Sequence, residues 1–323
     1  MKSAASKEPS RPDGRLVISY RQGYVMRGIA MLALVFVHSL NEYPAYTSSF
    51  AKVWLVPSWG EFASSLFFFM SGYGLLSSMT NHEDVDSRYL ARHIRKLLVP
   101  FLMTCLLVVV ALMITQGCGD ASEWHLKNIL TLGMPDGTDM WFFKTIFLFY
   151  FMAFFCVKVS RNNGTRLLLL GALLSLYSLA LYANRYPGYW YDSNLCFVVG
   201  ACFAIGKVKM GNRLLLLSFV LFAVFYVLSL LEYRKAPLQV AGNIACCVCM
   251  VWALSRLHAE RKMLNVVTFI GGNSLLYYLL SVPVMLVIPG ERMHWIVYFL
   301  ANLFVTTLFV LLYRKTIGRL TIR

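Results

Sequence analysis

Ten apolar runs of about 20 residues, the length that crosses a bilayer as a helix, follow one another along the chain with short polar connections between them. They cover residues 22–40, 59–79, 95–116, 139–158, 166–183, 192–208, 213–232, 237–256, 266–288 and 293–313. Backbone groups inside lipid must find partners within the chain, which a helix provides. The pattern predicts an all-α integral membrane protein, a bundle of about ten transmembrane helices. The longest polar stretch, 117–138, carries Asp120, Glu123, Asp136 and a Gly-rich turn at Gly133 to Gly137. It reads as an outer loop with a small helix near Trp124–Leu132. No soluble domain and no internal repeat is visible, so the division is a tail at 1–21, a membrane domain at 22–314 and a tail at 315–323.

The polar connections give the bundle a direction. Basic residues cluster in alternate connections: Arg88, Arg92, Arg95 and Lys96; Lys158, Arg161 and Arg166; Lys207, Lys209 and Arg213; Arg256, Arg261 and Lys262. With the two tails these segments hold 22 of the 30 basic residues, against 6 on the other side. The positive-inside rule then places both termini in the cytoplasm. The first 21 residues are polar and basic and are expected to be a cytoplasmic tail rather than a cleaved signal.

Composition agrees: 59% of residues are hydrophobic and 14% charged, and mean hydropathy is +0.63. A water-soluble domain carries about 25% charged residues. The net charge of +15 suits orientation, anionic headgroups and phosphorylated ligands; no motif supports nucleic-acid binding. Of eight cysteines, seven fall inside apolar runs, and Cys246, Cys247 and Cys249 lack the spaced pairs and histidines of a zinc site. Neither a disulfide framework nor a metal is expected.

Ionisable residues inside a spanning segment are costly and mark function. The first helix holds Arg27 and His38, eleven residues apart. That spacing is about 20° past three full turns and about 16 Å along the axis. Both therefore project from one face, and Glu42 follows His38 by one turn, placed to orient the ring. His38 is the candidate general base or nucleophile, with Glu42 its catalytic partner, and Arg27 holds an anionic part of a ligand. Taken singly, an interfacial arginine and a packed histidine would be unremarkable.

Other candidates are spread along the chain. Phe67 to Gly74 includes Ser71 and Tyr73, with small residues that permit close backbone approach to a helix or a ligand. Glu61 opens that helix. Arg92, Arg95 and Lys96 form a basic run denser than orientation requires, and guanidinium groups grip phosphates bidentately. Trp141 fits an aromatic belt, while Lys144 lies deeper, to pair with Asp139 or Glu61 or to face substrate. In the ninth run, Asn273 and Ser274 are polar near the inner end, and Pro283 is placed to kink the helix.

In order, these segments resemble the acyltransferase family 3 membrane enzymes. Arg27-Gly28-Ile29-Ala30 leading to His38-Ser39 is similar to the family's arginine, ten residues, histidine motif. Phe68-Phe69-Met70-Ser71-Gly72-Tyr73 resembles its Phe-Phe-x-Ser-Gly segment, and Arg92 to Pro100 its basic run before the third helix. Trp141-Phe142 resembles its Trp-Phe-Leu segment, and Asn273-Ser274-Leu275 through Tyr278-Leu279-Leu280 its late Ser-Leu-x-x-Tyr-Leu segment. The resemblance runs over almost the whole chain. It departs at Ser281, where many relatives carry a histidine before the late proline, and at Lys144, atypical within the tryptophan segment.

The resemblance implies an O-acyltransferase in a bacterial cytoplasmic membrane. It moves an acyl group, often acetyl, from cytoplasmic acyl-CoA to a hydroxyl of an extracytoplasmic glycan or lipid-linked sugar. His38 then matches the catalytic histidine and Arg27 the motif arginine. Arg92, Arg95 and Lys96 face the coenzyme phosphates, and Glu61, Ser71, Tyr73, Trp141, Lys144 and Asn273 are candidates on the substrate side. The rival expectations are a transporter or flippase-like carrier, in which a repeated half would be clearer, and a non-catalytic scaffold.

Overall fold

A computed structural model describes residues 17–41, 56–81, 85–116, 123–136, 138, 140–206, 208–209, 211–230, 236–256, 264–288 and 293–316. Glu42 and Asp139 lie outside them. Twelve α-helices are found among the described residues. They are α1 (Tyr20–Asn41), α2 (Val56–Asn81), α3 (Ser87–Gln116), α4 (Glu123–Leu130), α5 (Trp141–Val159) and α6 (Asn163–Ala183), then α7 (Leu195–Ile205), α8 (Asn212–Leu230), α9 (Ala236–Ser255), α10 (Asn265–Gly272), α11 (Ser274–Val287) and α12 (Trp295–Lys315).

Each of the ten apolar runs holds a helix, but the helices are not alike. Seven are long and apolar enough to cross a membrane: α1, α2, α3, α5, α6, α9 and α12. The ninth run is broken into α10 and α11, which meet at 81°, and counting that pair as one span makes eight. The break falls at Asn273, not at Pro283, which lies inside α11. The sixth run forms only the 11-residue α7. The small helix expected in the long outer connection is present as α4.

Contacts along α1 fix the directions of its neighbours. The Ile18 amide donates to the Tyr73 hydroxyl at 3.3 Å, while Gly60 lies beside Val37. So α2 runs antiparallel to α1. The Gln22 side-chain amide donates to the Ser255 carbonyl at 2.9 Å, which brings the end of α9 to the start of α1. The bundle thus has an Arg27 end and a His38 end.

Lipid tails are as apolar as leucine, so close packing rather than burial from water holds such helices together. Two seams show how. A Cβ on Gly72 would stand 2.0 Å from the Phe197 carbonyl oxygen, and one on Gly200 2.0 Å from that of Phe69. Thus α2 and α7 touch backbone to backbone. At the second seam Gly28 meets the Val267 carbonyl and Gly271 that of Tyr24, which clamps α1 to α10. Phe68, Phe69, Phe149 and Phe197 fill the space beside the first seam and are fully buried. Outward, α12 presents Leu300, Phe304, Leu308 and Leu311, all exposed, as a lipid-facing stripe.

Candidate active site

The same-face spacing of Arg27 and His38 is realised: both line one cavity of about 390 Å³ enclosed by α1, α2, α5 and α11. His38 is accessible, and it opens onto this cavity. Ser64, Phe67 and Ser71 come from α2, Trp141, Ile146 and Tyr150 from α5, and Tyr278 and Ser281 from α11. Much of the remaining wall is aliphatic, with Met31, Val35, Leu97, Val282 and Leu286. The chemistry is therefore concentrated in a few polar groups on a largely apolar wall.

The connection before α5 closes the His38 end. It turns back at Leu132, whose φ of 57° is left-handed, and Gly133 donates to the Asn128 carbonyl at 2.7 Å. Met134 is fully buried, with its sulfur 4.0 Å from that of Cys105 in the middle of α3. Asp136 and Thr138 then reach the cavity wall. The Asp136 carboxylate accepts from the Thr138 amide at 3.2 Å and from its hydroxyl, which fixes its direction. This carboxylate was not among the residues singled out by sequence. It was legible only as one of several acids in a polar loop, and nothing local shows that the loop folds back into the bundle.

At the other end lies a second cavity of about 740 Å³. Arg21, Arg27, Lys96 and Arg314 line it, with Asn265 and Asn273, and no carboxylate is among its described lining residues. Arg21 donates to the Asn265 side-chain oxygen at 2.7 Å. The Arg27 guanidinium lies over the Tyr24 ring at 5.4 Å, and that of Arg314 over Phe269 at 5.5 Å. Arg27 and Arg314 thus rest against aromatic faces at the cavity edge, and the clustered positive charge suits an anionic ligand.

The two cavities share Arg27, Ser274 and Leu275. The junction exists because α10 stops at Gly272 and α11 starts at Ser274 in a new direction. Backbone freed from helix is tolerated at membrane depth where it lines such a space. Asn273 sits at the corner and donates to the Phe269 carbonyl at 2.7 Å.

The remaining sequence candidates divide between the cavity walls and places outside them. Arg92 and Arg95 are exposed and line neither cavity, whereas Lys96 lines the basic one. Arg21 and Arg314, which sequence read only as orientation charges, take places there. Tyr73 stacks on Phe69 and accepts from Ile18, away from both cavities. Lys144 reaches over the Trp190 ring at 6.0 Å, and Trp141 joins that group through Tyr189 and Trp190. The Glu61 carbonyl accepts from the Ser193 hydroxyl on the flank of α2 that faces α7.

No curated protein and no solved structure matches the chain significantly. The family model of an acyltransferase domain, of the acyltransferase 3 type, does match, over residues 25–315. Those limits enclose Arg27, His38, Asp136, the broken helix and Arg314, so the matched region contains nearly all of both cavities. The chain is a multi-pass membrane protein and belongs to the acyltransferase family 3.

Proposed function

We propose that the protein transfers an acyl group, acetyl in the simplest case, from cytoplasmic acyl-CoA to a hydroxyl of an extracytoplasmic glycan or lipid-linked sugar. The observation that carries this reading is the pair of joined cavities. One is basic and free of described carboxylates; the other holds His38 and Asp136; Arg27 stands at their junction. The basic bias of alternate connections supports a bundle of about ten crossings with both termini in the cytoplasm, so the basic cavity faces the coenzyme.

In this reading the coenzyme phosphates rest on Arg21, Lys96 and Arg314, and the thioester passes Arg27 toward His38. The neutral His38 imidazole takes the proton of the acceptor hydroxyl. The freed oxygen attacks the thioester carbonyl carbon, a C–O bond forms and the C–S bond breaks. The imidazolium returns its proton to the departing thiolate, so the protein ends unchanged. Asp136 accepts from the acceptor's remaining hydroxyls or from the ring. The largely apolar wall excludes water that would compete for the thioester.

The test is transfer of radiolabelled acetyl from acetyl-CoA to surface glycans in membranes holding the intact protein, His38→Ala or no protein. Label that depends on the protein and on His38 supports the reading. Full transfer by His38→Ala sinks the assignment of the base. No binding of acetyl-CoA to the intact protein sinks the donor.

A further inference from the structure

A second polar cluster lies on the flank of α2 turned away from the cavity. Ser64 lines the cavity, and Ser65, about 100° further round the helix, faces α7 and α9. Its hydroxyl donates to that of Ser193 at 3.0 Å, and the Cys247 thiol donates to its carbonyl at 3.6 Å. One turn before Cys247 on the same face of α9 is Asn243, fully buried. Since α9 and α2 run the same way, Asn243 stands toward the level of Glu61, whose carbonyl accepts from the Ser193 hydroxyl of the turn that opens α7.

That turn carries Asp192, which is only 1% exposed. Neither of its carboxylate oxygens meets a hydrogen-bond partner among the described residues, and the same holds for both amide atoms of Asn243 and for the side-chain oxygen of Asn194. Asp192 does not cap α7: the first amides of that turn, Cys196 and Phe197, are taken by the Ser193 and Asn194 carbonyls. A buried anion of this kind is retained when a counter-charge occupies the space beside it.

We propose that this cluster binds a small alkali cation, Na⁺ or K⁺, through the Asp192 carboxylate, the Asn243 amide oxygen and oxygens of the turn at 191–194. All these donors are oxygens, which select hard cations. A carboxylate with neutral amide, hydroxyl and carbonyl oxygens matches a single positive charge. Among the described residues no group of three or more His, Cys, Asp or Glu is placed to hold a metal ion, so a zinc-type site is not the occupant. The cation ties α7 and α9 to α2 behind Ser64 and Phe67, the residues α2 contributes to the His38 end of the cavity.

The test is thermal unfolding of the full-length protein in neutral detergent. NaCl and KCl are compared with N-methyl-D-glucamine chloride at equal ionic strength and pH. The expected result is a saturable rise in Tm of several degrees with one alkali cation, at least tenfold weaker in apparent affinity for Asp192→Asn and unchanged for His38→Ala. The last arm separates this site from the catalytic reading. Should Asp192→Asn fail to fold, radioactive ²²Na⁺ and ⁸⁶Rb⁺ (for K⁺) binding to the wild-type protein decides. Displaceable binding of either supports the site and binding of neither overturns it. Equal melting in all three salts also overturns it, and means that a proton neutralises Asp192. So does a cation shift that Asp192→Asn keeps in full.

Discussion

The two cavities that meet at Arg27 are made of opposite material. The one at the start of α1 is wide, with four cations on its wall and no described carboxylate. The one toward His38 is about half its volume, and between Arg27 at one end and His38 with Asp136 at the other its wall is mostly apolar. The difference separates holding from reacting. A charged donor is gripped by diffuse positive potential, which acts at a distance and tolerates imprecise placement. Proton transfer needs a few groups within hydrogen-bond reach and little water. A single site doing both would have to be wet for the phosphates and dry for the thioester.

The comparison breaks most completely at His38. His38→Ala removes the only described imidazole on the cavity wall, and general base catalysis accounts for about 10²–10⁴-fold in rate. Acyl transfer by His38→Ala should fall by at least about 10²-fold, while acetyl-CoA binding by calorimetry stays within a factor of two of wild type, about 0.4 kcal/mol. A parallel loss of donor binding would mean that the two cavities do not divide the work.

Asp136 is the next largest effect. Asp136→Asn keeps the shape of the side chain and removes its charge, so transfer should drop by about 10-fold to 10²-fold, the value of one charge-assisted hydrogen bond. The effect should appear in kcat or in KM for the acceptor, with KM for acetyl-CoA unmoved. The Thr138 hydroxyl holds Asp136 in direction, and Thr138→Val should show a smaller loss of the same kind.

The basic cavity is sharpened by a contrast within its own charges. Arg21 and Arg314 line it, while Arg92 and Arg95 are exposed outside it. Arg21→Ala with Arg314→Ala should raise KM for acetyl-CoA by about 10-fold, roughly 1.4 kcal/mol, with kcat little changed. Arg92→Ala with Arg95→Ala should shift it by about twofold or less, the value of solvated charges screened by salt. The reverse order would place the donor on the α3 run instead.

That contrast also shows what sequence could carry. Each apolar run located a helix, because a bilayer demands about 20 apolar residues per crossing, but only seven of those helices are long and apolar enough to cross and the sixth run forms just 11 residues of helix. The face shared by Arg27 and His38 followed from helical angle alone. Arg21, Arg314 and Asp136 were not legible, since their placement depends on how distant elements meet. Arg314 comes from the last helix, Arg21 from the first, and Asp136 from a connection whose inward fold rests on Met134 packing against Cys105. The break in the ninth run was not legible: an internal proline drew the expected kink to Pro283. The break comes at Asn273 because Gly271 is pressed onto the Tyr24 carbonyl of α1, which fixes α10 in a direction that α11 does not share.

Ser281 should give the smallest effect. It lines the His38 cavity at the position where many relatives are expected to carry a histidine, and its hydroxyl is already committed to the Tyr278 carbonyl at 3.0 Å. A hydroxyl bonded back to its own helix has given its proton away and is a poor donor to substrate. Ser281→Ala should therefore change transfer by about threefold or less, within the worth of one neutral hydrogen bond. Ser281→His tests the other direction: an added imidazole beside the cavity would need space held by Val282 and Leu286, and should lower activity by crowding the acceptor. If Ser281→Ala instead falls by more than about 10-fold, roughly 1.4 kcal/mol, the serine hydroxyl takes part in the chemistry. The reactive end of the cavity would then be a His38 and Ser281 pair rather than His38 with Asp136.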